Sequence, residues 1–100
     1  MTILRVLPEA EEELARTAEW YESKRSGLGV ELIAIVDRAF DEILDAPLSY
    51  ALWRADRPFR YKVLTRFPYI VFFRVNNDVI DVMAVAHAKR RPDFWLERVR

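Results

Sequence analysis

The spacing of apolar residues changes about halfway along the chain, and this change limits the folds that the chain can adopt. Between residues 10 and 44 the apolar residues recur every three or four positions, as they do on one face of an α-helix. From Phe59 onwards apolar and polar residues alternate, which predicts β-strands. Helices followed by a group of strands favour an α+β fold, in which the helices pack on one face of a small, mostly antiparallel sheet.

The helix-breaking residues divide the first half into three elements. Residues 3–7 are typical of a first strand, and Pro8 suits the first turn of the helix that follows. That helix is predicted from residue 9 to about residue 26. The segment "SGLG" at 26–29 contains both glycines of the chain and separates it from a second helix that ends near Pro47. The two helices are therefore predicted to form an antiparallel hairpin.

The second half begins with a predicted loop and a half-buried strand. Residues 47–58 contain two prolines and show no regular apolar period, so they are assigned to a loop. In the strand that starts at Phe59, the polar positions carry Arg60 and Lys62. We expect these two cations on the outer, solvent-facing side of the strand.

The segment "NND" at 76–78 separates two apolar runs, and this predicts a β-hairpin. With Asn77 and Asp78 as a two-residue loop, the strand register is fixed. The resulting pairs are Val75 with Ile80, Arg74 with Asp81, Phe73 with Val82, Phe72 with Met83, and Val71 with Ala84.

This register predicts which residues share each face of the hairpin. One face is uniformly apolar, whereas the other carries the Arg74–Asp81 pair and His87 among further apolar residues. The second face is too apolar to remain exposed to water. We expect it to be covered either by Phe94 and Trp95 of the C-terminal tail, as a short tail or helix, or by a partner peptide.

The charge is distributed unevenly although the chain has no net charge. Residues 1–50 contain 5 basic and 11 acidic residues, a net charge of −6, whereas residues 51–100 contain 11 basic and 5 acidic residues, a net charge of +6. The basic half predicts an anionic partner, either a nucleic acid or an acidic protein segment. The alternative is that the charges are solvated and merely balance within one domain.

Several classes of protein are disfavoured by what the sequence lacks. There is no cysteine, Gly-rich phosphate loop, paired-carboxylate spacing or metal-ligand cluster, so no cofactor or metal is expected and a small metabolic enzyme is disfavoured. No apolar run has the roughly 20 residues of a membrane helix, and no secretory signal is visible. We expect a cytoplasmic protein with one domain over residues 1–100.

Four segments together resemble the RelE/ParE superfamily of bacterial toxins. They are "LPEAEEEL" after the first strand, "WYESKRSGLG" across the helical turn, "RFPYIVFFRV" in the middle strands and "VAHAKRRPDFW" near the end. The resemblance covers nearly the whole chain. It implies the toxin of a type II toxin–antitoxin system, neutralised within a hetero-oligomer by a cognate antitoxin whose segment lies over the toxin surface.

The superfamily contains two activities, and the resemblance leaves both open. RelE-like members cut messenger RNA on the ribosome, whereas ParE-like members inhibit DNA gyrase. In the RelE-like interpretation, His87 is the candidate acid or base, and Arg60, Lys62 and Arg66 stabilise the charge on phosphorus. The alternatives are a structural histidine and ordinary surface cations.

A target or an antitoxin could be bound by a wider set of residues. The candidates are Arg60, Lys62, Arg66, Arg74, Arg90, Arg91 and Trp95. For Trp95 the alternative is that it packs on the sheet as a hydrophobic residue. For the cations at 89–91 the alternative is a solvated turn.

Four features favour the ParE-like side. The chain has no tyrosine after Tyr69, where many RelE-like nucleases have one, and it is neutral overall. The "GLG" turn and the ending His-x-x-Arg-x-Pro-x-x-Trp also resemble ParE-like toxins. The interpretation is therefore a gyrase inhibitor, with an mRNA endoribonuclease as the alternative and a degenerate toxin that only binds its antitoxin as a third.

Overall fold

Two helices pack on one face of a four-stranded sheet, which confirms the predicted α+β fold. The computed structural model describes residues 1–91 and 93–99. The elements are β1 (Ile3–Val6), α1 (Pro8–Lys24), α2 (Leu28–Asp45), a 3₁₀ turn (Pro47–Ser49), β2 (Phe59–Val63), β3 (Tyr69–Asn76), β4 (Val79–His87) and a C-terminal 3₁₀ helix (Phe94–Val99). In the described ranges no helix has the length and apolarity needed to cross a membrane.

The strand order of the sheet is β1-β4-β3-β2. The first strand runs parallel to β4, and the other neighbours are antiparallel. This order makes β3 and β4 the central strands. Both of their faces are covered, one by the helices and the other by the C-terminal 3₁₀ helix, which explains why they are almost continuously apolar.

The turn between the helices is stabilised by a carboxylate from the end of α1. Glu22 accepts hydrogen bonds from the backbone N–H groups of Gly27, at 2.7 Å, and Gly29, at 2.9 Å. The bond from Gly27 is the main reason why the pKa of Glu22 lies below its ordinary value. Gly27 has φ = 90°, a conformation that costs little only for glycine. The "SGLG" segment therefore ends one helix and begins the next, as predicted.

Gly29 allows the two helices to approach closely, and this leads to a first prediction. A Cβ atom at this position would lie 2.3 Å from the backbone oxygen of Ala18 in α1. Because a backbone atom cannot move without shifting the helix, Gly29→Ala is expected to lower the free energy of unfolding by about 1–3 kcal/mol. Urea denaturation measures this loss. The matched control is Val30→Ala on the exposed side of α2, which should change it by less than about 0.5 kcal/mol.

A gain of stability for Gly29→Ala would contradict the prediction. It would mean that the helices are far enough apart for alanine to act only through its higher helix propensity.

The register of the last hairpin is partly as predicted and partly wrong. The pairs from Val75–Ile80 to Phe73–Val82 are confirmed. The register then shifts at a β-bulge, so that Phe72 pairs with Ala84 and Val71 with Val85. The predicted pairs Phe72–Met83 and Val71–Ala84 are wrong, because Met83 is an extra residue in β4.

The bulge exchanges the faces of the last residues of β4. Val85 packs with the helices, whereas Ala84 and Ala86 lie on the opposite face together with Met83. His87 was predicted to lie on that opposite face. It lies instead on the helix side, where its ring contacts Tyr69.

The face of the sheet away from the helices, called here the outer face, is covered by the C-terminal tail. Trp95 is fully buried against Phe59 and Phe72, and Phe94 is half-buried beside it. This confirms the expectation that the tail covers the second apolar face. The loop before β2 adds Trp53 to the same cluster.

Candidate functional site

A cleft of about 600 Å³ lies between α1 and the ends of β3 and β4. Its walls combine charged and aromatic side chains. They are Glu13, Arg16, Thr17, Trp20 and Tyr21 from α1, Tyr69 from the start of β3, His87 from the end of β4, and Arg90 from the following turn. The five α1 residues are spaced by three or four positions or are adjacent, so they lie on one side of the helix.

His87 reaches this cleft because of the bulge in β4. Its ring meets the ring of Tyr69 edge-on, with centroids 5.3 Å apart. The Nδ1 atom accepts a hydrogen bond of 3.0 Å from the backbone N–H of Lys89. In the neutral ring the proton is therefore on Nε2, which can act as a hydrogen-bond donor.

Tyr69 supplies a hydroxyl group that remains protonated. Burial raises its pKa to about 12, and the neighbouring hydroxyl of Tyr21 adds to this effect. A phenol with this pKa does not act as a base near neutral pH, but it can donate a hydrogen bond to an anion.

Glu13 connects α1 to the C-terminal tail. Its carboxylate accepts a hydrogen bond of 2.8 Å from Arg98 and lies 3.5 Å from Arg90, while Arg98 also donates to the backbone oxygen of Met83. The guanidinium of Arg90 also lies over the ring of Phe94, 3.4 Å from its centroid. One carboxylate thus pairs with two arginines where α1 meets the tail.

The cations predicted for RNA cleavage do not join His87 in this cleft. Arg60 donates to the backbone oxygen of Tyr50 at 2.6 Å, and Lys62 lies 3.5 Å from the carboxylate of Glu42 in α2. The expectation that these two residues face solvent on the outer side of β2 is wrong. They point to the helix side because Phe59 and Tyr61 occupy the outer face with Trp95.

Arg66 lies in the turn between β2 and β3. Its guanidinium is 2.6 Å from the carboxylate of Glu31 at the start of α2. The three predicted cations are therefore bound to three separate groups rather than to one site.

The other predicted binding residues are also spread over the fold. Arg74 pairs with the buried Asp81, Arg91 lies 2.9 Å from Asp93, and only Arg90 lines the cleft. Trp95 has no exposed surface, so a partner can reach it only if the tail moves.

Among the residues that line the cleft, only His87 and Arg90 were predicted as site residues, although the sequence of α1 contains a pattern that indicates those on the helix. The α1 residues of the cleft recur at helical spacing, and they mix aromatic rings with charges. Their position opposite His87 could not be read from the sequence, because it depends on a bulge and on long-range packing. Among the described residues no cluster of His, Asp and Glu is arranged to hold a metal ion.

Comparisons with known proteins agree with this fold. No curated protein matches the chain. A solved structure described as "Chromosomal ParDE TA system from P. aeruginosa" is similar in fold, with a TM-score of 0.76 and 13% sequence identity over 87% of this chain and 95% of the other. The family model described as the ParE toxin of the type II toxin–antitoxin system parDE matches residues 4–92. Because that match spans most of the sequence, the chain belongs to the family of ParE toxins of type II toxin–antitoxin systems.

Proposed function

We propose that this ParE-family toxin inhibits DNA gyrase by binding to it in the cytoplasm, and that a cognate antitoxin neutralises it in a hetero-oligomer. The family match supports both partners. The observation that favours binding over RNA cleavage is the separation of His87 from Arg60, Lys62 and Arg66.

Cleavage of RNA requires a base, an acid and cations around one phosphate. Lys62 lies opposite Val71, two residues along β3 from Tyr69, which is opposite His87. Strand spacing and rise place the Cα atoms of Lys62 and His87 roughly 12 Å apart. Lys62 is also held by Glu42 of α2. This arrangement supports a toxin that acts by binding.

A RelE-like ribonuclease is the second candidate. The observation in its favour is that His87 shares the cleft with Arg16 and Arg90. In this alternative those two arginines, rather than the predicted cations of β2, would stabilise the charge on phosphorus.

The two functions are separated by the synthesis that stops first after induction. Bacteria that express this chain alone are pulse-labelled with thymidine and with amino acids. Loss of thymidine incorporation before amino-acid incorporation is expected, together with inhibition of DNA supercoiling by purified gyrase. Earlier loss of amino-acid incorporation, with supercoiling unaffected, would overturn the proposal.

His87→Ala gives a second prediction on the same point. A toxin that acts by binding should keep its potency within about threefold, whereas an enzyme that uses His87 as acid or base should lose a hundredfold or more. Potency is measured as the toxin concentration that halves gyrase supercoiling. The urea unfolding midpoint of the variant confirms that it remains folded. A large loss of potency in a folded variant would contradict the expected result.

A further inference from the structure

Four aromatic rings follow one another along the cleft. Trp20 contacts Tyr21 with centroids 5.0 Å apart, Tyr21 contacts Tyr69 at 6.2 Å, and Tyr69 contacts His87 at 5.3 Å. All three contacts are edge-to-face. Trp20, at one end of the row, is 56% exposed. The exposed indole of Trp20 offers a flat surface to a ligand.

Cations surround this row of rings. The ammonium of Lys24 lies 5.0 Å from the centre of the Trp20 ring. Arg16 pairs with Glu12 at 3.1 Å, but both side chains are largely exposed, so this ion pair is weak and easily exchanged for another anion. Arg90 is half-exposed and shares Glu13 with Arg98. Among the residues that line the cleft, two arginines, Arg16 and Arg90, are present with one carboxylate, Glu13.

We propose that this cleft binds a nucleotide unit, with the base stacked on Trp20 and the phosphate between Arg16 and Arg90. Stacking platforms interleaved with cations are typical of proteins that bind single-stranded nucleic acid. The volume of about 600 Å³ is within the range of ligand sites.

The inference goes beyond gyrase inhibition and involves no bond cleavage. The proposed site does not include the predicted cations Arg60, Lys62 and Arg66, which lie outside the cleft. An acidic protein segment would also be attracted to the cations. Stacking of a base, however, uses the exposed ring of Trp20 as well as the cations, so the observations favour the nucleotide.

The binding test uses the full chain and a fluorescein-labelled thymidine decanucleotide, with fluorescence anisotropy as the readout. Unlabelled decanucleotide, thymidine monophosphate and a glutamate decapeptide serve as competitors. Competition by the monophosphate would identify a free nucleotide as a sufficient ligand, whereas competition by the decanucleotide alone would identify a strand. Both results support the inference.

Three variants locate the binding. Arg16→Gln should weaken it about fivefold and reduce the dependence of log K on log salt by about 0.7, the value for one phosphate contact to a single strand. Trp20→Leu should weaken it about tenfold, and Trp20→Phe should keep most of it. The control Arg57→Gln removes the same charge from an exposed loop residue outside the cleft, and it should change binding by less than about twofold.

An equal loss in Arg16→Gln and Arg57→Gln would overturn the inference, because binding would then follow the overall charge. Competition by the glutamate peptide as strong as that by the decanucleotide would also overturn it and assign the cleft to an acidic protein segment.

A second measurement needs no variant. His87 is the only histidine, so its ring C–H signals in the NMR spectrum must shift when the decanucleotide is added. Unchanged signals would exclude the cleft. None of these measurements involves gyrase, so they can fail independently of the proposed function.

Discussion

Trp95→Ala is expected to lower the free energy of unfolding by about 3–5 kcal/mol, the cost of removing a fully buried large aromatic residue. Trp95 has no exposed surface. It packs edge-on against Phe59, with centroids 4.7 Å apart, and in a tilted arrangement against Phe72, with centroids 5.2 Å apart. Its loss would leave a cavity on the outer face of the sheet and weaken the attachment of the tail. Because domains of this size are stable by only about 5–15 kcal/mol, the variant should be close to unfolding.

Urea denaturation measures this loss, and two further variants test its cause. The indole Nε1 of Trp95 is buried and meets no acceptor among the described residues. Trp95→Phe therefore removes no hydrogen bond, and it should lower the free energy of unfolding by less than half as much as Trp95→Ala. Trp20→Ala removes the same side chain from an exposed position and should cost less than about 1 kcal/mol. Equal losses at positions 20 and 95 would mean that the tail does not pack on the sheet.

The helices and strands, and their order along the chain, could be predicted because each depends on local spacing. The order of the strands within the sheet was not predicted. The period of 3.6 residues is followed by a period of two, with Pro8, "SGLG" and Pro47 at the boundaries. The hairpin register was correct near its turn for the same reason, since turn length fixes the first pairs.

The face on which His87 lies could not be predicted. A bulge adds one residue to β4 and thereby reverses the alternation of every later residue in the strand. No glycine or proline marks this bulge, and Met83 is as apolar as its neighbours. The prediction therefore placed His87, the candidate acid or base for RNA cleavage, on the outer face of the sheet, whereas it lies on the helix side.

The positions of Arg60 and Lys62 were missed for a related reason. The alternation of polar and apolar residues in β2 predicted that the cations face solvent. It does not indicate which face of the strand the C-terminal tail covers. Trp95 lies 35 residues after Arg60 in the sequence and requires the apolar positions of β2 for its own burial. The cations consequently lie on the helix side, where Glu42 and the backbone of Tyr50 bind them.

Asp81→Asn is the second substitution with a large expected effect, and we expect it to lower the free energy of unfolding by about 2–4 kcal/mol. Asp81 is only 2% exposed. Its carboxylate accepts a hydrogen bond of 2.5 Å from Arg5 in β1 and one of 3.3 Å from Arg74 in β3. The sequence predicted the pair with Arg74 but not the contact with Arg5, which depends on the parallel pairing of the first strand with β4. An amide would leave two guanidinium groups without their shared counter-ion.

The effect should depend on pH in a defined direction. Burial alone would raise the pKa of Asp81, but hydrogen bonds from Arg5 and Arg74 outweigh burial and hold the pKa below its ordinary value of 3.8. A carboxyl whose pKa is lower in the folded state stabilises that state above its ordinary pKa, and this contribution is lost as the pH falls through the folded-state pKa. The difference in unfolding free energy between the wild type and Asp81→Asn should thus be constant from pH 7 to about pH 5 and shrink below about pH 4.

Urea denaturation at a series of pH values measures this difference, and Asp78→Asn provides the matched control. Asp78 is exposed in the hairpin turn three residues before Asp81, so the same substitution there should change the unfolding free energy by less than about 0.5 kcal/mol at every pH. A difference for Asp81→Asn that grows as the pH falls would contradict the expected result. It would mean that the folded protein binds the proton at Asp81 more tightly than the unfolded chain does, so that burial outweighs the two arginines.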